Sequence, residues 1–225
     1  MPKTILRLLS FRITREELLQ LDNKHLLAGL IGTWIVGMGR YWDDPGAKIL
    51  QHAGLGSVIY IFCLSFFIWL VIKPYWVKHW NYFSVLTFVS LTSFPAIVYA
   101  IPVEQIWTKQ IAIQLNVTFL LVVASWRLGL LYFFLKRFTK LPHGYILVGT
   151  LVPICVIIVT LTALNLERAV FDIMGGLREK TGKDKAYEVL IMLTFISSII
   201  SIPVLLGYAG AIVLRWKHRK QMENS

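Results

Sequence analysis

Residues 189–214 read VLIMLTFISSIISIPVLLGYAGAIVL, 26 positions without a single charged side chain. A helix on a soluble protein needs one polar face, whereas a helix apolar all round and roughly 20 residues long matches the ~30 Å hydrocarbon layer of a bilayer. Gly54–Ile72, Phe83–Ala100 and Tyr145–Leu164 are equally free of charge, and Ile111–Leu135 carries only Arg127. These runs predict an all-α, polytopic integral membrane bundle. Its spans fall at about 26–42, 54–72, 83–101, 111–135, 145–164 and 189–214, which makes six transmembrane helices, with five as the alternative.

The open question between six and five is Leu26–Met38. It holds 13 uncharged, mostly apolar residues, a length also typical of re-entrant or interfacial pieces. It lengthens to about 17 if Arg40 snorkels and Tyr41 and Trp42 sit at the interface. Gly29, Thr33 and Gly37 recur every fourth position, a stripe that lets another backbone approach closely.

The flanks frame a single domain. Residues 1–25 form an amphipathic N-terminal segment, with Thr14-Arg15-Glu16-Glu17 reading as a capping box and Asp22 or Asn23 able to cap the next helix. Residues 26–214 are the bundle, and 215–225 are a basic tail. Connections at 73–82, 101–110 and 136–144 are short, so sequence neighbours become antiparallel neighbours. The longer 165–188 stretch spaces Leu166, Val170, Ile173 and Leu177 along one face before Gly175-Gly176 and its acidic residues, predicting a small helix on the outer interface. The N-terminus lacks a secretory h-region and cleavage site, so the expected home is a bacterial cytoplasmic (inner) membrane, reached without cleavage.

The chain is 56% hydrophobic and 16% charged, with a formal charge of +11. No basic helix interleaved with aromatics is present, which argues against nucleic acid. In the six-span layout 14 Lys and Arg lie on the side of the termini and 8 on the other, and the positive-inside rule then puts both termini in the cytoplasm. Five spans give 13 against 9 and reverse the C-tail. The expected partners are anionic lipid headgroups, together with a membrane-protein partner or a second copy of the chain. Cys63 and Cys155 lie mid-run and read as small buried thiols; no metal or cofactor set is spaced in the sequence.

Arg127 is the one ionisable residue well inside a span, nine positions before Lys136 and so ~13 Å deeper. A central Arg costs roughly 3 kcal/mol on insertion and each Leu, Ile, Phe or Val returns about 0.3–0.6. Ile111–Leu135 has fifteen of those, so the helix inserts with the charge aboard. Asn116, three turns earlier, shares nearly the same face, and with Ser93 and Ser201 completes a candidate intramembrane polar site for an anion or lipid phosphate. The bland alternative is an Arg snorkelling to the interface. Pro95, Pro153 and Pro203 free the carbonyls of Leu91, Gly149 and Ile199, which nearby hydroxyls could satisfy. Ser93-Phe94-Pro95 and Ser201-Ile202-Pro203 echo one another faintly, as inverted transporter repeats would.

Asp43, Asp44, Glu104 and Glu167 gather at predicted outer ends of spans as a candidate acidic cluster, for which solvated loop carboxylates are the plain alternative. His-Glu-x-x-His, Gly-x-Ser-x-Gly and phosphate-loop patterns are all missing, which weighs against an enzyme. The sequence therefore points to a non-enzymatic membrane-embedded interaction or accessory component. A small-solute or lipid transporter built on Arg127 is the alternative, and a lipid-modifying enzyme using the outer carboxylates comes third.

Overall fold

Capping chemistry starts the first helices as the sequence anticipates. In the computed structural model, which describes residues 1–43, 46–47, 49–164 and 183–223, α1 covers Pro2–Leu9 and α2 covers Arg15–Leu19. The Thr14 hydroxyl accepts from the Glu17 N–H and the Glu17 carboxylate accepts from the Thr14 N–H. Asp22 then caps α3, Asn23–Gly39, by accepting from the N–H groups of Lys24 and His25.

After α4 (Ile49–His52), Gly54 takes a left-handed φ of 66° and opens α5, Leu55–Ile72. A Cβ on Gly54 would sit 2.7 Å from the Trp34 carbonyl, so this tight return suits glycine on both counts. A 3-10 turn at Lys73–Tyr75 leads to α6, Tyr82–Leu91, and a second 3-10 segment covers Phe94–Ala100. The short α7 (Val103–Ile106), the long α8 (Lys109–Thr139), α9 (His143–Ala163) and α10 (Lys183–Glu223) complete the described chain.

Among the described residues five segments are long and apolar enough to cross a membrane: Leu55–Tyr75, Tyr82–Ile106, Gln110–Thr139, His143–Ala163 and Thr194–Gln221. That is the five-span alternative. The segment in question, α3, is a regular 17-residue helix of ~25 Å at 1.5 Å per residue, short of a full hydrocarbon layer. It is nevertheless built into the bundle. Gly29 lies against Ser90, Gly32 against Phe94 and Gly39 against Ala100, so α3 runs parallel to α6 and the 3-10 segment that follows it. Gly37 meets Ser57 near the start of α5, where an added Cβ would come within 2.7 Å of the Ser57 hydroxyl. The small stripe is thus consumed inside the protein.

The proline segments depart from simple kinks. Pro95 stands in the first turn of a 3-10 segment that follows a break at Thr92-Ser93, where its missing N–H removes no helical bond. Pro153 and Pro203 lie inside continuous α-helices, so the echo between the Pro95 and Pro203 motifs does not extend to their backbones. The hydroxyls expected to satisfy proline-freed carbonyls bond elsewhere: Thr92 donates to Val89, Ser198 to Thr194 and Ser201 to Ser198. Cys155 is buried, but Cys63 is exposed on α5 and packs in no core. The helix expected over 166–177 lies outside the described residues.

Packing gathers the N-terminal segment, the Lys73–Tyr82 turn, the α8–α9 turn and the C-terminal end of α10 at one end of the bundle. Arg15 donates to the Phe138 carbonyl, Trp80 packs edge-on against Phe138 at 5.7 Å, Tyr75 meets Tyr145 at 5.7 Å, and Arg219 lies 5.7 Å from Trp76. The largest buried side chains, including Tyr75, Phe134 and Phe138, sit toward this end. Phe134 stacks flat on Phe88 at 4.1 Å, locking α8 to α6.

Candidate functional site

Val36 of α3, Ala96 of the second 3-10 segment and Val123 of α8 form a small apolar cluster of their own, with Val98 and Tyr99 packed against it. One turn beyond Val123, Arg127 emerges half-buried with its guanidinium carbon 6.0 Å from the Tyr60 ring of α5. Arg40, at the end of α3, lies 5.1 Å from the Tyr99 ring and 5.7 Å from Tyr41. Each arginine thus lies against a tyrosine ring of a different segment, and neither has a salt-bridged carboxylate among the described residues.

Magnitudes single out Arg127. A cation over an aromatic ring gains about 0.5–1 kcal/mol when exposed and ~2 when desolvated. A single Arg at the centre of a membrane helix costs roughly 2.5–3.5 kcal/mol even on insertion scales. The ring contact alone therefore leaves Arg127 short of full compensation.

The sequence-derived candidates distribute themselves differently from the expected stripe. The Asn116 amide donates to Glu104 at 2.7 Å, joining a predicted intramembrane residue to a predicted outer carboxylate. Asp43 accepts from Gln105 at 3.4 Å, and Trp42 donates to the Ala100 carbonyl at 2.9 Å. Asp44 and Glu167 lie outside the described residues. No group of three His, Cys, Asp or Glu among the described residues is placed to hold a metal ion. Ser93 and Ser201 are buried, and Ser201 spends its hydroxyl on its own helix. Sequence reading passed over Arg40 and Tyr99. Arg40 read only as a snorkelling helix end and Tyr99 had no part in a site, because only the parallel course of α3 along Phe94–Ala100 brings them together.

The opposite, basic end has a different chemistry. Arg215 lies 5.7 Å from the Tyr145 ring, Lys220 4.1 Å from Trp216, Lys73 4.6 Å from Trp69 and Arg137 5.2 Å from Phe133. Arg7 pairs with Glu17 at 2.7 Å. The hydrogen bond from His25 holds the Asp22 carboxyl below its ordinary range, and a backbone N–H with help from Thr14 does the same for Glu16.

No family model, no curated protein and no solved structure matches this chain, so its reading rests on the physical arrangement of its own residues.

Proposed function

We propose that this chain is a non-enzymatic, membrane-embedded interaction component of a bacterial cytoplasmic membrane. With α3 crossing beside the five longer spans, both termini face the cytoplasm, and the basic end holds anionic lipid headgroups. The observation that carries this reading is the gathering of both terminal segments and the Lys73–Tyr82 and Lys136–Gly144 turns at one end, where cations lie over aromatic rings. Rings at headgroup level anchor the helix ends while the cations reach phosphates, each basic residue near an anionic surface contributing ~1 kcal/mol. The test is lipid selectivity. Purified protein extracted from a mixed bilayer should carry phosphatidylglycerol in excess over its share of the membrane, and replacing Arg215, Arg219 and Lys220 together with Gln should reduce that excess. A lipid complement equal to the bulk membrane, unchanged in the triple variant, would remove the reading.

A second reading, a carrier for a small solute or lipid, draws on Arg127 beside Tyr60 with Arg40 at Tyr99. The lipid-modifying enzyme has less support, since Asp43 and Glu104 are each engaged by a neighbouring amide.

A further inference from the structure

We propose that the N-terminal segment brings a phospholipid headgroup layer down along α8, so that Arg127 meets lipid phosphate instead of hydrocarbon. The interaction surface is residues 7–12 with the Trp126-Arg127 turn of α8, apart from the basic residues around Arg215. The inference deepens the lipid-headgroup reading and takes from it only the name of the leaflet, the cytoplasmic one.

Direct contacts fix the depth of the segment. The Leu9 carbonyl accepts from the Trp126 indole at 3.0 Å, one residue before Arg127. The Phe11 ring stands edge-on to Phe133 at 5.8 Å and lies 3.4 Å from where a Cβ on Gly129 would sit. Arg15 donates to the Phe138 carbonyl. Residues 9–15 therefore track α8 from its C-terminal end back to Trp126. Lys136 follows Trp126 by ten positions, or ~15 Å at 1.5 Å per residue.

A segment of this kind does not border hydrocarbon. Residues 10–14 lie outside any helix, and Arg7, Ser10 and Arg12 are exposed. Irregular backbone facing lipid is not found within the hydrocarbon layer, and exposed arginines there are costly. The polar layer therefore follows the segment to the level of Trp126. That side chain is 41% exposed with its N–H engaged, as an interfacial indole should be. The uncharged run left on α8, Ile111–Trp126, is 16 residues, or ~24 Å against the ~30 Å of an ordinary core. Bilayers thin locally to match such a short run. Arg127 then stands at the boundary, and phosphate oxygens supply the compensation that the Tyr60 ring does not.

Depth is the first readout. A nitroxide is placed on Ser125→Cys in the full chain, with Cys63 and Cys155 replaced by Ser, in phosphatidylcholine vesicles. Ser125 is exposed two positions before Arg127. Collisions with a nickel chelate and with oxygen should place this label at the headgroups, whereas a label on Leu121→Cys, about one turn deeper, should report hydrocarbon. Replacing Lys3 and Arg12 together with Leu should move the Ser125 label toward hydrocarbon. A label ~16 Å below the phosphates, the depth expected if Lys136 marked the boundary, would overturn the proposal, as would a headgroup reading unchanged in the Leu variant.

The second readout leaves the N-terminal segment intact. In the chain with Arg215, Arg219 and Lys220 replaced by Gln, phosphatidic acid doped into phosphatidylcholine nanodiscs should still raise the unfolding temperature. Adding Arg127→Gln should weaken its apparent affinity by roughly tenfold, as loss of a charge-assisted bond implies. An affinity indifferent to Arg127→Gln would remove the phosphate contact. If the phosphatidylglycerol excess at the basic end fails while the Ser125 label reads headgroup depth, this site stands without that reading.

Discussion

The indole N–H of Trp126 donates to the backbone carbonyl of Leu9 across 3.0 Å. This single bond ties the C-terminal end of α1 to the helix that carries Arg127. It acts with Phe11, which adopts a left-handed φ of 60° and sets its ring edge-on to Phe133 at 5.8 Å. Leu8 and Ile13 on either side are buried. The N-terminal segment is therefore packed along α8 and does not trail from the bundle.

Trp126→Phe keeps the aromatic bulk and deletes the donor. A hydrogen bond of this kind contributes about 1 kcal/mol net, so residues 5–13 should exchange amide hydrogens about fivefold faster while the rest of the protein is unaffected. Unchanged exchange across that segment would mean that apolar packing alone holds it.

The contact between α3 and α6 predicts a suppressor pair. A Cβ at Gly29 would lie 2.8 Å from the Ser90 Cβ, and both helices are fixed by neighbours, so Gly29→Ala should destabilise by about 1–3 kcal/mol through overpacking. Ser90→Gly removes the opposing atoms and should recover part of the loss when combined with it. The readout is the unfolding temperature of the four proteins in the same detergent; strict additivity of the two single losses would show that the helices do not meet there.

Much of the bundle was legible in the sequence because membrane helices must be apolar over their whole surface. Four charge-free runs and Ile111–Leu135 are recovered as candidate spans with small shifts at their ends. Capping boxes at Thr14 and Asp22 were legible for a different reason, since their partners lie within three residues. What the sequence could not supply was tertiary pairing. The Gly29-Thr33-Gly37 stripe announced a close approach but not its partner, α6. The face shared by Asn116 and Arg127 suggested one polar site, yet Glu104 from a neighbouring short helix claims the asparagine. Arg40 and Tyr99, some 60 positions apart, carry no local signal at all.

The cap of α3 predicts a pH effect. The Asp22 carboxyl titrates below its ordinary value because His25 hydrogen-bonds its charged form. A group whose folded value is depressed contributes stability above its unfolded value, ~3.9, and loses it as pH falls through the folded value. Hydrogen exchange at the Lys24 and His25 amides should therefore be slow and steady at pH 5–7 relative to intrinsic rates, and lose protection below about pH 4. Asp22→Asn, which caps without ionising, should flatten that acid limb. An identical limb in Asp22→Asn would assign it to another group.

Orientation follows from the end-to-end arrangement. Because α3 lies parallel to α6 and the N-terminal segment meets the α8–α9 turn, reporters fused after Leu135 and after Gln221 should both report cytoplasm. A C-terminal reporter on the opposite side would leave α3 as a re-entrant helix that accompanies the five longer spans.

Arg127 supplies the sharpest test. Arg127→Leu removes the one costly residue from a helix whose fifteen Leu, Ile, Phe and Val residues already suffice for insertion. Carbonate extraction should therefore leave the variant in the membrane, and its stability in pure phosphatidylcholine should be equal or greater. On the carrier reading, the response to phosphate-bearing lipid should nevertheless fall, because the guanidinium beside Tyr60 is gone. Arg127→Lys keeps the charge but replaces a planar fork by a compact ammonium, so it should recover only part of that response. This order, with wild type above Lys and Lys above Leu in lipid response while membrane insertion stays constant, separates a binding arginine from one that only snorkels. A snorkelling residue would accept Lys fully and leave the lipid response intact in Leu.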